Sequence, residues 1–241
     1  MIPETTHVPH REEEILTALM DAKARAVAIF DAPIWKLDGA EHETHRQSVL
    51  RHGESEAYVA AMLFVVHPEH VPPTVDPRDI FIGLFIHDIG KIGAVADPGV
   101  WQLRRPQIAA DDLTNMQRHV ELGYEILLRY QKQTGVVLPE VVLDILLHHH
   151  EKLDGSGRPL GVTGDQLSYA ARLAVIIDQI IARCEPRKYH DHDFSLRESY
   201  MDVARDAGVK YDAGILGDLE ALFRSNEHLR YQKLAWLGTW E

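Results

Sequence analysis

The sequence predicts an all-α protein, and three observations carry that expectation. Its longer segments repeat apolar residues at helical spacing, no segment alternates as a half-buried strand would, and the breaks between segments are short and rich in Pro and Gly. With 241 residues, 45% hydrophobic and 26% charged, the composition is that of an ordinary globular chain long enough to bury its own core. One domain, or one domain with helical extensions, fits this length.

The first expected helix covers 12–30, where Ile15, Leu16, Leu19, Ala22 and Val27 fall near amphipathic spacing; it reads as a packing or dimerisation helix. A second covers about 43–67, carries His52 and stops before Pro68, Pro72 and Pro73. Asp76 followed by Pro77 is a helix cap with proline at the first helical position, and the apolar run from Ile80 to Ile86 leads to His87 and Asp88 near the helix end. Thr114 with Gln117 resembles a capping box, opening a helix that holds His119 in its first two turns and ends near Gly135. Pro139 starts another helix, which ends in His148, His149 and His150. Thr163 with Gln166 is a second capping-box pattern, and Asp178 interrupts the apolar stretch from Leu173 to Ala182 in the helix that follows. After a polar break at 185–193, the remainder predicts two or three more helices.

The formal charge of −12 argues against binding to long nucleic acids, which needs a basic footprint. A small anionic substrate is compatible with it, because bound metal makes a local positive site on an acidic protein. Cys184 is the single cysteine, so neither an internal disulfide nor a thiolate metal site is expected, and a reducing cytoplasm fits best. The N-terminal MIPETTHVPHREEE is polar and acidic, and apolar runs such as Leu173 to Ile177 are far too short to span a bilayer, so neither secretion nor a membrane location is expected.

The chemistry lies in a series of histidines and aspartates. Asp178 has apolar neighbours at helical spacing in Val175, Ile181 and Ala182, so its carboxylate needs a salt-bridge partner, a cap or a cation. His87 ends an apolar helix, where a lone histidine is commonly a satisfied core residue; Asp88 beside it supplies the oxygen that, with imidazole nitrogen, suits divalent metals. In chain order the series runs His52, His87-Asp88, His119, His149-His150 and Asp178, with successive members about 30 residues apart. Each gap is one helix plus a connection, so a helical bundle can bring all of them to one centre. Two metals there would acidify a water between them and hold a phosphodiester for in-line attack, with Lys91 three residues after Asp88 as a positive donor for the developing charge.

Three strings are longer than this spacing requires: HDIGK from His87 to Lys91, HVELGYEIL from His119 to Leu127, and HHEKLDGSGRP from His149 to Pro159. D-x-x-x-A from Asp178 to Ala182 and R-x-Y from Arg187 to Tyr189 are weaker pieces. Together, from about His52 to Tyr189, the chain resembles the HD-GYP branch of the HD-domain phosphohydrolases. The resemblance implies an HD-domain helical bundle over 43–241 with helical extensions, 1–42 being the N-terminal one. It implies hydrolysis of cyclic di-GMP or a related cyclic dinucleotide to the linear dinucleotide or mononucleotide, with divalent metals, most often Fe or Mn.

By position, the resemblance makes His52, His87, Asp88, His119, His149, His150 and Asp178 the metal ligands, with Asp88 bridging two ions and Lys91 meeting a phosphate oxygen. Glu151 fixes the register of the three histidines, leaving His148 as the extra one, which reads as a surface residue. The loop containing Gly155 and Ser156 is either a plain connection or a source of backbone amides for a nucleotide phosphate. Arg187 falls where the family has a substrate-binding arginine, whose fork suits phosphate or guanine; an ordinary surface arginine is the other reading.

The chain departs from the family at three places. Gly157-Arg158-Pro159 stands for Gly-Tyr-Pro, and Arg158 reads as a phosphate contact or a solvated loop residue. Ser48 stands one turn before His52 where trinuclear members carry glutamate, so two metals are expected rather than three. Ile181 stands where a polar side chain follows the helix aspartate, which predicts fewer substrate contacts on that wall. Alternatives to hydrolysis are a metal-containing cyclic-dinucleotide sensor or interaction module, or a nucleotidase or di-iron oxygenase on the same scaffold. Zn, Ni and Co also suit the donor set. A homodimer and a signalling-protein partner complete the expectations.

Overall fold

Helical spacing along the chain becomes nine α-helices among the described residues of the computed structural model, which are 9–32, 40–94, 99–100, 103, 107–185, 194–230 and 232–240. They are α1 (Pro9–Phe30), α2 (Ala40–Val66), α3 (Pro77–Ile86), α4 (Ala110–Gln117), α5 (His119–Thr134), α6 (Glu140–His148), α7 (Tyr169–Cys184), α8 (Leu196–Ala204) and α9 (Ala213–Arg224). Short 3-10 segments fill several connections, among them Ile89–Gly93. Two isolated bridges, Asp154 with Thr163 and Ala207 with Tyr211, are the nearest approach to β structure among these residues.

The centre of the molecule is α3. Pro77 sits at its first turn, and the Asp76 side chain accepts from the backbone N–H of Arg78, as the cap pattern predicts. Every residue from Ile80 to Ile86 is buried, so the helix is apolar all round and must be enclosed. It packs against α1, α2 and α6. Each of its Ile, Leu and Phe side chains contributes roughly 1.5–3 kcal/mol of burial before conformational entropy is charged against it, which fixes the C-terminal end of α3 in place. The second buried helix is α7, which packs on α2, α6 and α8. From α1, Leu19, Ala22, Ala26, Ile29 and Phe30 join the same core as α3 and α7, in keeping with the packing role read for that helix.

Two capping-box expectations are corrected. Thr114 does not open the helix that carries His119; it lies inside α4, where its hydroxyl donates to the carbonyl of Ala110. The chain breaks at Arg118, whose N–H reaches both Thr114 O and Asn115 O, and α5 starts afresh at His119. The Thr163–Gln166 box is present but closes only the 3-10 turn Gly164–Gln166; α7 begins later, with Ser168 Oγ accepting from the N–H of Ala171. A box satisfies a first turn without saying how far the helix runs. At the other end of α5, Gly135 takes the left-handed conformation (φ 72°), as its place after the last helical residue predicts.

Candidate metal centre

Three of the expected ligands lie just beyond helix ends. His87 follows α3, His149 follows α6, and His119 stands past the break after α4. Each ring turns back onto a carbonyl three residues earlier: His87 Nδ1 lies 2.7 Å from Leu84 O, His119 Nδ1 2.7 Å from Met116 O, and His149 Nδ1 2.8 Å from Leu146 O. The last carbonyls of a helix have no partner within it, so the rings cap them by donating from Nδ1. That fixes a proton on Nδ1 and turns each Nε2 toward the cluster, where a metal ion can take the place of a proton. His52, inside α2, reaches the same state differently, with Nδ1 2.9 Å from a carboxylate oxygen of Glu185.

The ligand atoms fall into two groups, each within 4.8 Å of one another: Asp88, His119, His149 and His150 in one, and His52, Glu56, His87 and Asp178 in the other. Asp88 faces both. Its Oδ1 lies 3.3 Å from His119 Nε2 and 3.7 Å from His149 Nε2. Its Oδ2 lies 3.3 Å from His87 Nε2 and 3.7 Å from His52 Nε2. Asp178 crosses the seam on the other side, with Oδ1 3.2 Å from His52 Nε2 and Oδ2 3.4 Å from His150 Nδ1. His150 Nε2 in turn lies 3.1 Å from His119 Nε2.

Burial weighs on every ring but the outcome differs between the halves. On His149 burial prevails and pushes the pKa down to about 4, and His119 and His150 are lowered with it. On His87 burial is outweighed by the carboxylates of Glu56 and Asp88, which lift the pKa to about 9, and Glu56 and Glu185 hold His52 well above the usual range. Burial would raise Asp88 and Asp178, but Lys91 and His87 hold the first, and His52 and His150 the second, well below the carboxylate range. One half is therefore a set of neutral imidazoles and the other a mixture of carboxylates and rings.

The donor set fits divalent metal. His87 Nε2, Asp88 Oδ1 and both Glu56 oxygens are buried and make no directed hydrogen bond. Each such group costs about 1–3 kcal/mol when left unmet, and one cation in each half would meet all of them. Imidazole nitrogen with carboxylate oxygen is a set that Fe, Mn, Zn, Ni and Co accept.

The structure thus brings all seven expected ligands together. Lys91 stands at the edge of the centre: the 3-10 turn stacks residues three apart, so its ammonium lies against Asp88 Oδ2. Arg158 donates to Gln117 O at 3.1 Å, and its charge is felt at His150. Gly155 and Ser156 form a closed turn. Gly155 N–H donates to Lys152 O at 2.9 Å, and Ser156 donates to Asp154 Oδ1 from its N–H at 2.9 Å and its hydroxyl at 2.6 Å, so both amides are already used. His148 points to Asp144 Oδ1 at 2.8 Å, apart from the two groups, as its reading as the extra histidine implies. Ile181 is fully buried in the core and lines no accessible wall. Arg187 and Tyr189 lie outside the described residues.

Three glutamates were missed. Glu56 follows His52 by one helical turn on the same face of α2, and Glu185 stands seven residues after Asp178, just past the end of α7; that spacing was the available signal. Glu151 served only to fix register, yet its buried Oε1 accepts from the N–H of Leu160 at 2.6 Å and Gly161 at 3.1 Å and ties the loop to the histidine pair.

The HD-domain family profile matches residues 42–215. A probable cyclic di-GMP phosphodiesterase of Vibrio cholerae is 33% identical over 133 residues, 54% of this chain and 29% of that protein. A 3'3'-cGAMP-specific phosphodiesterase 2 of the same organism is 37% identical over 119 residues, 48% of this chain and 21% of that protein. The matches cover less than a third of either relative. The solved structure of Bd1817, an HDG"Y"P protein from Bdellovibrio bacteriovorus, superposes with a TM-score of 0.55 at 14% identity, over 85% of this chain and 64% of that one, which is a likeness of fold.

Proposed function

The chain belongs to the HD-domain family, and we propose that it is a metal-dependent phosphodiesterase that opens a cyclic dinucleotide, such as cyclic di-GMP, to the linear form. The observation that carries this reading is Asp88, whose two oxygens face separate groups of ligand atoms and so suit a bridge between two ions. The names of the curated relatives support the substrate class.

His52, His87 and Asp178 would hold one ion, His119, His149 and His150 the other, with Asp88 shared. Two ions so placed would supply an acidified water and a clamp on the phosphodiester oxygens. The Nδ1 bonds of His87, His119 and His149 keep their rings from turning, so the centre is organised before substrate arrives. Lys91, beside Asp88, offers its ammonium to a phosphoryl oxygen as charge develops there. Arg158, whose backbone N–H reaches His150 O, is proposed as the contact to the second phosphate, and Arg187 as a further phosphate or guanine contact. With the amides of Gly155 and Ser156 and the Ser156 hydroxyl committed to their own turn, any substrate contact from that loop falls to Arg158. Fe or Mn is the proposed metal.

The test is direct. The full chain is prepared with Fe or Mn under reducing conditions, two ions per chain are verified by elemental analysis, and cyclic di-GMP and 3'3'-cGAMP are supplied. Linear dinucleotide in the chromatogram is the expected result. Fully loaded protein that binds the dinucleotide without turning it over would be a sensor instead, and the proposal would fail.

A further inference from the structure

We propose that Glu56 is a direct metal ligand, completing the half-site of His52, His87 and Asp178 with an oxygen donor. This rests on the dinuclear reading above. The helix α2 places Glu56 one turn after His52, so both side chains leave the same face. The carboxylate is fully buried, with Val59, Ala60 and Leu63 of its own helix buried around it. Its Oε1 lies 2.8 Å from His52 Nε2 and its Oε2 3.6 Å from His87 Nδ1, yet neither oxygen makes a directed hydrogen bond. His87 Nδ1 already donates to Leu84 O, and His52 Nδ1 already donates to Glu185. The nitrogen that His52 turns to Glu56 and the carboxylate oxygen facing it in the core need a positive charge between them, which a metal ion can supply in place of a ring proton.

The assignment makes the two halves chemically unlike. Glu56, Asp178 and one Asp88 oxygen join two imidazoles on one side, against one Asp88 oxygen and three imidazoles on the other. Carboxylate oxygen favours hard ions such as Mn, and imidazole favours Zn, Fe or Ni. The half containing Glu56 is thus the preferred seat of Mn2+, and its opposite is the more permissive one. The carboxylate that trinuclear relatives place one turn before His52 is Ser48 here; Glu56 enters from the turn after.

Equilibrium dialysis of the full chain against Mn2+, with metal counted by mass spectrometry and the spin state read by electron paramagnetic resonance, tests this. Wild type is expected to hold two exchange-coupled Mn2+ ions. E56Q, which keeps the size of the side chain, should hold one ion as before and the second at least tenfold more weakly, with the coupled spectrum replaced by that of isolated Mn2+. Two ions in E56Q with unchanged affinity and coupling would overturn the assignment. Wild type that never takes up a second ion would overturn the dinuclear reading itself, and this assignment with it. Should E56Q fail to fold, anomalous scattering from Mn-loaded wild-type crystals decides: a peak bonded to a Glu56 oxygen supports the proposal, and one beyond bonding distance refutes it.

Discussion

Asp88 is wedged among four imidazoles and an ammonium, with 2% of its surface exposed. Replacing it by Asn keeps the shape and removes the charge both halves share. We expect Asp88→Asn to lose most of its metal, measured as ions per chain, and at least about a hundredfold in turnover. Lys91→Ala separates metal binding from catalysis: metal content should stay at the wild-type value while kcat falls roughly 10²–10³-fold. An unchanged kcat would remove Lys91 from the reaction. Glu185 acts one step further out, by holding His52 Nδ1; Glu185→Gln should weaken metal binding about 10–100-fold, read by competition with a chelator. The sequence made the seven proposed ligands and Lys91 legible as a cluster because each stands in a string or at a spacing that survives without coordinates. Glu56 and Glu185 were not read, since a glutamate on or beside a helix is ordinarily solvated and only the fold shows that Glu56 is buried and that Glu185 reaches His52.

At the scale of elements, the centre depends on how closely backbones meet. A Cβ on Gly53, next to His52, would stand 2.2 Å from Phe85 O, and one on Gly90 would stand 1.9 Å from His119 O. Glycine is what lets α2 press on the end of α3, and the Ile89–Gly93 turn press on the start of α5. Gly90→Ala should cost at least about 1–3 kcal/mol, a fall in melting temperature of roughly 2–12 °C at this chain length. Gly93→Ala, in the same turn with nothing within 4 Å, should change it little. At the end of α7, burial pushes the Cys184 thiol up to about 11. At pH 8 about one thiol in a thousand is then ionised, so native protein should resist alkylation by iodoacetamide while unfolded protein reacts readily. The native rate should climb as pH approaches 11; fast modification at pH 8 would refute the buried setting. Helix existence was legible from spacing, Pro and Gly, but Thr114 shows the limit, because its hydroxyl serves a helix interior as well as a cap.

For the whole molecule, metal and fold are linked. The proposed ligands come from α2, α5 and α7 and from the turns that follow α3 and α6, so each bound ion would tie together elements distant in sequence. Metal at 100 times its dissociation constant should stabilise the fold by about 2.7 kcal/mol, visible as a higher melting temperature that a chelator reverses. A melting temperature indifferent to metal would argue against a buried centre. No helix among the described residues is long and apolar enough to cross a membrane.

By itself the sequence determined the helical class, the order of the candidate ligands and the motif strings, because hydrophobic period, breakers and local spacing are properties of short stretches. Only the tertiary structure decided how the ligands sort into two groups about Asp88, that Glu56 enters one of them, that Ile181 faces the core, and that the amides of Gly155 and Ser156 serve their own turn. Those outcomes depend on which helix faces meet around α3 and on which polar groups lose water when they do, and neither is encoded in any single segment.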